Sequence, residues 1–415
     1  MDHSPLSAGV TDAWLETLAN LVAVRSPLAG ALYQRLIVRD EWSADQRAAL
    51  VRLAPWVGAN ATPKPAPAVA PGEIAMGVMG YHTADPSATS RNIGDWVQTV
   101  SMSSHLIRRA DVQFTGDPEL VKVFEQLRQS VPAENVIHGP SARVSLIEFN
   151  RDSTLYDAIP QDMWAFVFGW YMKRIYGGRE QFPLNPNIRP LFISFHISSG
   201  RTLTPAAVEY LKANGPIGCR DWHTVRLLLA KGVPAYFSGC VTTTIGGLFP
   251  RAQIDASKPA AFVDVGPEHV EPGAVRLKNL DDGLRERPLA ASLQQAVRRI
   301  DAYRNDYSRV VTSRLHTFLP AESCGVAVEW RPHKADDRRF DGLIGPTEAP
   351  RELMRARITQ IVGALLDSIL RGDSTEEVRQ AYWAEVAPDL AASKATIEDP
   401  SKSYDYVGIT KVHAS

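Results

Sequence analysis

The stretch Val310-Val311-Thr312-Ser313-Arg314-Leu315-His316 couples an apolar, β-branched run to an arginine and a histidine two positions apart. The run predicts a strand, and a helix is expected to begin where it ends. On a strand, residues i and i+2 share a face, so the guanidinium and the imidazole would converge on one ligand. One group can hold an anion while the other moves a proton. Upstream, Gly218-Cys219-Arg220-Asp221-Trp222 sets a second arginine at a similar strand-to-helix junction. Arg220, Arg314 and His316 together would suit a small, doubly charged acid. An Arg-x-His pair at a strand end also serves purely structural ends, so the elements that position it decide.

Those elements follow from periodicity. Thr11 ahead of Trp14, Leu15, Leu18, Leu21 and Val22, Ser26 with Pro27, and the capping-box pair Ser43 and Gln46 predict a helical extension suited to packing against the main body or a second subunit. Ala61 to Pro71 places four prolines in eleven positions, an extended connector, so residues 1–71 form an extension plus linker. Residues 72–250 then alternate strand with helix: Ile74–Tyr81, Val144–Phe149, Ala165–Phe168, Leu191–Ile197 and Ala235–Cys240 read as strands, with helices opened by Asp95, Thr204-Pro205 and Asp221. Residues 251–390 repeat the pattern, with strands at Ala261–Val265, Arg309–Ser313 and Val326–Trp330 and helices at Ala290–Tyr303, His316–Ser323 and Arg351–Leu370. Residues 391–415 lack periodicity and are expected to form a tail. The fold class expected is α/β, two Rossmann-like doubly wound domains whose ligands bind beyond the carboxyl ends of the strands.

Composition excludes several classes of partner. With 45 basic and 46 acidic residues, net charge −1, the chain has no global field for nucleic acid or anionic membrane. Three cysteines without a CxxC pair argue against a disulfide framework or a zinc site and favour a reducing cytoplasm. No basic leader and no apolar run of about 18 residues is present, so the expectation is a soluble protein, at most peripheral at a membrane. No Walker loop, GxGxxG, HExxH or GxSxG pattern occurs.

In order along the chain, Asn92-Ile93-Gly94-Asp95, Asp162 to Gly169 (DMWAFVFG), Gly218 to Asp221 (GCRD), Ser238-Gly239-Cys240 and Arg314-Leu315-His316 resemble the polysaccharide pyruvyl transferase family over residues 74–345. That family carries a more glycine-rich segment where this chain has Phe168-Gly169-Trp170-Tyr171. The resemblance implies a glycosyltransferase-B-like pair of domains and transfer of the pyruvyl unit of phosphoenolpyruvate onto sugar hydroxyls as a ketal. It implies no cofactor beyond the donor, and a part in making a surface or extracellular polysaccharide. The acceptor sugar, on a nucleotide, a lipid or a glycan, and any homo-oligomer stay open. Phosphoenolpyruvate carries a carboxylate and a phosphate, each matched to a guanidinium fork, which assigns it to Arg220 and Arg314. His316 is expected to protonate the methylene carbon, a task suited to a pKa near neutrality. Leu315, Asn92, Gly94 and Asp95 complete the expected substrate-binding set.

Other residues read more plainly. Asp95 is expected to be a helix N-cap that also touches the acceptor only if the turn faces it. His105, His138, His196, His223 and His269 lack metal-ligand spacing, and His196 is kept in reserve because it lies at a strand end. Trp164, Phe166, Phe168, Trp170 and Tyr171 suit a core better than a sugar platform, and Asp336 to Arg339 a solvated loop from which Arg338 or Arg339 could reach a phosphate. Two other activities share this pattern: a glycosyltransferase with a nucleotide-sugar donor, for which no acidic pair is placed to grip a ribose, and a silent sugar-binding or assembly subunit.

Overall fold

The computed structural model describes residues 8–23, 26, 28–57, 65–83, 89–155, 157–171, 181–334, 337–344 and 350–399. Three helices come first: α1 (Ala8–Ala23), α2 (Leu28–Ile37) and α3 (Ala44–Val57). They bury Leu15, Leu18, Leu36, Leu50 and Leu53 in a small core of their own, which Leu155 of the main body joins. The capping box at the start of α3 forms as expected: Gln46 N donates to Ser43 Oγ at 3.2 Å and Ser43 N to Gln46 Oε1 at 3.0 Å. Gln46 Nε2 donates onward to Thr11 Oγ1 at 2.9 Å, which ties α3 to α1. Pro27 and residues 58–64 of the proline-rich linker lie outside the described residues.

The main body holds two parallel sheets. The larger comprises β1 (Glu73–Gly80), β2 (Val112–Gly116), β3 (Ala142–Asn150), β4 (Met163–Trp170), β5 (Ile188–His196), β6 (Ile217–Cys219) and β7 (Ala235–Phe237), in the order β2-β3-β1-β4-β5-β6-β7. Every ladder in it is parallel. Its central strands are apolar along their whole length because helices cover both faces, and β4 is buried from Met163 through Gly169. Helices α4 (Ile93–Ile107), α5 (Pro118–Gln129), α6 (Pro205–Ala213) and α7 (Trp222–Leu229) make the crossovers. Thr204 caps α6, Ala207 N donating to its Oγ1 at 3.2 Å, and Pro205 follows at the first helical position, where its missing N–H is no loss.

A buried run of 3-10 turns over Val241–Leu248 leads from β7 into the smaller sheet. There β8 (Ala261–Val263), β9 (Val275–Leu277), β10 (Val310–Thr312) and β11 (Val328–Trp330) stand in the order β11-β10-β8-β9, again all parallel. Helices α8 (Leu289–Asn305) and α9 (Leu315–Ser323) belong to this part. One continuous hydrophobic core spans both sheets. The chain is thus α/β, with two parallel sheets and their covering helices.

The last two helices, α10 (Arg351–Leu370) and α11 (Thr375–Glu398), return to the larger sheet. Tyr382 donates its hydroxyl to Phe192 O of β5, 2.5 Å away, and Phe237 N of β7 donates to Ser393 Oγ at 2.9 Å. Helix α11 therefore continues past Ala391 to Glu398, where a tail was expected. Its apolar pattern is weak because polar anchors, Ser393 and Asp389, replace a hydrophobic stripe along its buried side. Among the described residues no helix is long and apolar enough to cross a membrane.

Candidate functional site

Each sheet reverses its strand order once, the larger between β1 and β4 and the smaller between β8 and β10. Crevices open at the carboxyl ends of strands at such points, and helix N-termini bring free N–H groups there. Four junctions of this kind carry the expected residues or their neighbours: Trp170 ends β4, His196 ends β5, Arg220 follows β6, and Ser313-Arg314 follows β10.

Asn92, not Asp95, caps α4. Its Oδ1 accepts from Gly94 N at 3.2 Å, and from Asn279 Nδ2 of the smaller sheet's side at 2.6 Å. Asp95 sits inside the first turn with its carboxylate turned back, accepting from Ser90 Oγ at 2.6 Å, Asn92 Nδ2 at 3.2 Å and Gln98 Nε2 at 3.3 Å. Burial pushes its carboxyl above the usual range, against the pull of Arg151. Gly94 is the point of closest approach: a Cβ there would lie 2.7 Å from His316 Cβ. Only glycine lets the start of α4 meet the start of α9 this closely.

The expected same-face pairing of Arg314 with His316 does not occur. Strand β10 stops at Thr312, Arg314 takes the N-cap position of α9, and His316 falls in its first turn. Arg314 is extended and His316 has non-helical torsions, φ −84° and ψ 19°, so the two share no strand face. Arg314, 42% exposed at its side chain, donates its Nε–H to Asp264 Oδ2 at 2.7 Å at the carboxyl end of β8. His316 turns inward. Part of the residue stays accessible, but its Nε2 is shut off from solvent without a hydrogen-bond partner. Burial, then Arg220 and Arg339, then His196, holds its imidazole well below the ordinary histidine range. The neutral-range pKa expected of it is therefore corrected: burial and neighbouring cations both disfavour the imidazolium.

Arg220 is 3% exposed, and its guanidinium makes no hydrogen bond among the described residues. Its nearest anionic contact is Asp221 Oδ2, 3.5 Å from Nε. Asp221 caps α7 as expected, with Thr224 N donating to Oδ1 at 2.9 Å. Its other oxygen, Oδ2, lies 2.6 Å from His196 Nδ1. Burial alone would raise the Asp221 carboxyl, but His196, Arg220 and the Thr224 N–H hold it below the usual range. His196 is fully buried; desolvation and Arg220 push it down to about 4.

Sequence reasoning named Arg339 as able to reach a phosphate and read Trp170 with the core, but passed over Gln98, Asp264 and Asn279. Trp170 meets the His196 ring edge-on, centroids 5.6 Å apart, and its Nε1 is buried without a partner, as is Gln98 Oε1. Trp164, Phe166, Phe168 and Tyr171 are core, as expected; Trp170 at the strand end differs. The guanidinium of Arg339 lies 5.3 Å from the Trp170 ring and is gripped by Asp337, while Arg338 is exposed and Asp336 lies outside the described residues. Asp264 and Asn279 had no signal beyond their positions just after short strands. Among the described residues no group of three or more His, Cys, Asp and Glu side chains is placed to hold a metal ion. Comparison of the chain with protein-family models, with curated proteins and with solved structures returned no match.

The arrangement can do two things chemically. Arg220, buried and like Arg339 close enough to act on His316, offers positive charge in low-dielectric surroundings where an anion would be bound strongly. His316 and His196 each present a nitrogen able to take or give a proton.

Proposed function

We propose that the chain is a pyruvyl transferase that moves the pyruvyl unit of phosphoenolpyruvate onto two hydroxyls of a sugar, forming a ketal, in the cytoplasmic synthesis of a surface or extracellular polysaccharide. The observation that carries this reading is a buried Arg220 whose Nε has no hydrogen-bond partner among the described residues, close enough to His316 to depress its basicity, at the carboxyl end of the larger sheet. A buried guanidinium without an acceptor is costly, and a bound carboxylate or phosphate relieves it. Arg220 would hold one anionic end of the donor. Among the described residues, Arg314, with one edge on Asp264, and Arg339, paired with Asp337, are the nearest candidates for the other. Two parallel-sheet domains with terminal helices returning to the first suit a glycosyltransferase-B-like arrangement with the donor between them.

His316 acts as the acid toward the methylene carbon. Its low basicity in the free protein suits this role once the donor's negative charge arrives, because an adjacent anion favours the imidazolium. Phosphate then departs toward the arginines, which stabilise the charge it carries away.

A thermal-shift screen of phosphoenolpyruvate against nucleotide sugars tests the donor, and acceptor-dependent phosphate release tests the reaction. His316→Ala is expected to keep donor binding within several-fold and to cut turnover by roughly two to four orders of magnitude. Stabilisation by a nucleotide sugar and not by phosphoenolpyruvate would replace this reading with glycosyl transfer.

A further inference from the structure

We propose that His196, oriented by Asp221, is the base that takes the proton from the first attacking hydroxyl of the acceptor, while His316 delivers a proton to the donor. This rests on the pyruvyl-transfer reading and adds to it a second proton-transferring residue. The two oxygens of Asp221 are divided between two tasks. Oδ1 accepts from Thr224 N and from Thr224 Oγ1, each at 2.9 Å, and so caps α7. Oδ2 lies 2.6 Å from His196 Nδ1 as an ion-pair contact, and Nδ1 also lies 3.1 Å from Thr224 Oγ1, its hydrogen-bond partner.

Thr224 Oγ1 gives its hydrogen to Asp221 Oδ1, so Nδ1, facing that hydroxyl oxygen and a carboxylate oxygen, carries its own hydrogen, which leaves the lone pair on Nε2. Nε2 is buried and has no hydrogen-bond partner among the described residues. A histidine kept only for packing has less reason to leave that nitrogen orphaned: the equally buried His105 has its Nε2 3.1 Å from Thr244 Oγ1. His196 and His316 are also within electrostatic reach of one another, with Arg220 near both.

The reaction requires both ends of a proton relay. In the addition step the acceptor oxygen bonds to the carbon bearing the carboxylate, and His196 Nε2 takes the hydroxyl proton. The electrons of the carbon–carbon double bond meanwhile take a proton from the His316 imidazolium, turning the methylene into a methyl group. In the closing step the second hydroxyl oxygen bonds to the same carbon as the bond to phosphate breaks. Neutral His316 receives that hydroxyl's proton, and the leaving phosphate takes the one on His196. Two hydroxyl protons are consumed, one ends on the methyl group and one on phosphate, and both histidines return to their starting states. A single histidine cannot be acid and base at once in the addition step.

The decisive variant is Asp221→Asn. Asparagine remains a good helix cap through its Oδ1, so the fold is preserved, but it turns an amide N–H toward His196 Nδ1. Nδ1 must then accept, the hydrogen moves to Nε2, and the base is lost. With methyl hexopyranosides as acceptor probes, Asp221→Asn and His196→Gln are each expected to lower kcat by about two to four orders of magnitude. Calorimetric affinity for phosphoenolpyruvate should hold within several-fold. Nitrogen-15 NMR of histidine-labelled full-length protein should show His196 Nε2 unprotonated in the wild type and protonated in Asp221→Asn.

A wild type that releases phosphate with near-normal turnover in His196→Gln removes the base and leaves pyruvyl transfer standing. A wild type that neither binds phosphoenolpyruvate nor releases phosphate sinks both. An Nε2–H in the wild-type spectrum overturns the dyad whatever the variants do.

Discussion

Two buried arginines sit in different regions of this molecule, Arg357 in the seam between α10 and α11 and Arg220 at the carboxyl end of β6, and they are treated in opposite ways. Arg357, 2% exposed, is saturated: Asp389 accepts from Nε and Nη2, and Glu385 accepts through its carboxylate and its carbonyl. Arg220, 3% exposed, has Asp221 at 3.5 Å as its one ion pair among the described residues. Desolvation penalises both alike, so the difference lies in what each environment was built to hold. A saturated arginine fixes two helices. An unsaturated one near histidine nitrogens without partners among the described residues is what the proposed anion site requires.

The largest effect expected from this contrast is on stability. Arg357→Ala leaves the buried Asp389 carboxylate without its cation and should lower the free energy of unfolding by about 3–5 kcal/mol in denaturant titration. Arg220→Met should leave the unfolding midpoint unchanged or raise it, while weakening phosphoenolpyruvate binding by about 1.5–3 kcal/mol in calorimetry. Lysine at 220 should recover part of that binding, since it keeps the charge and loses the fork. Arg314→Ala should cost less than Arg220→Met, because Asp264 already draws on its guanidinium. If Arg220→Met destabilises as strongly as Arg357→Ala, the contrast collapses.

The smallest effect is one of protons. His316 is neutral in the free protein at pH 7, its pKa held well below the usual range by burial, Arg220 and Arg339. A donor anion beside it raises that pKa, so binding takes up protons, up to about one per site, and affinity falls as pH rises. Calorimetry in buffers of different ionisation enthalpy measures this directly, and His316→Gln should abolish the uptake. Proton release on binding would assign the sign of the coupling to another group.

How much of this was legible in the sequence depends on the range of the signal. Helix caps are local, and Ser43 with Gln46, Thr204 and Asp221 all formed as their spacing implied. Long apolar strands such as β5 were equally plain, whereas β2 and β9, short or partly exposed, gave no pattern to read. Asn92 took the capping position assigned to Asp95 because its side chain can accept from Gly94 N while Asp95 folds back into the turn. The Arg314-x-His316 pair failed for a different reason. A strand that ends one residue sooner removes the shared face, and no residue type marks that boundary. His196 was undervalued because its partner, Asp221, is 25 residues on and becomes adjacent only through the pairing of β5 with β6. Trp170, Gln98 and Arg339 likewise acquire meaning only from strand order and from a loop that returns over the sheet.

The near-contact of Gly94 with His316 has a mechanical meaning as well. A methyl group would not fit between them, and the Asn92–Asn279 hydrogen bond of 2.6 Å lies alongside. The two halves pack against each other here, on the residue proposed to deliver the proton. A side chain at position 94 would have to push the start of α9 aside, so backbone packing sets where His316 stands. The Arg314 side chain, by contrast, is held by its ion pair with Asp264 near the surface.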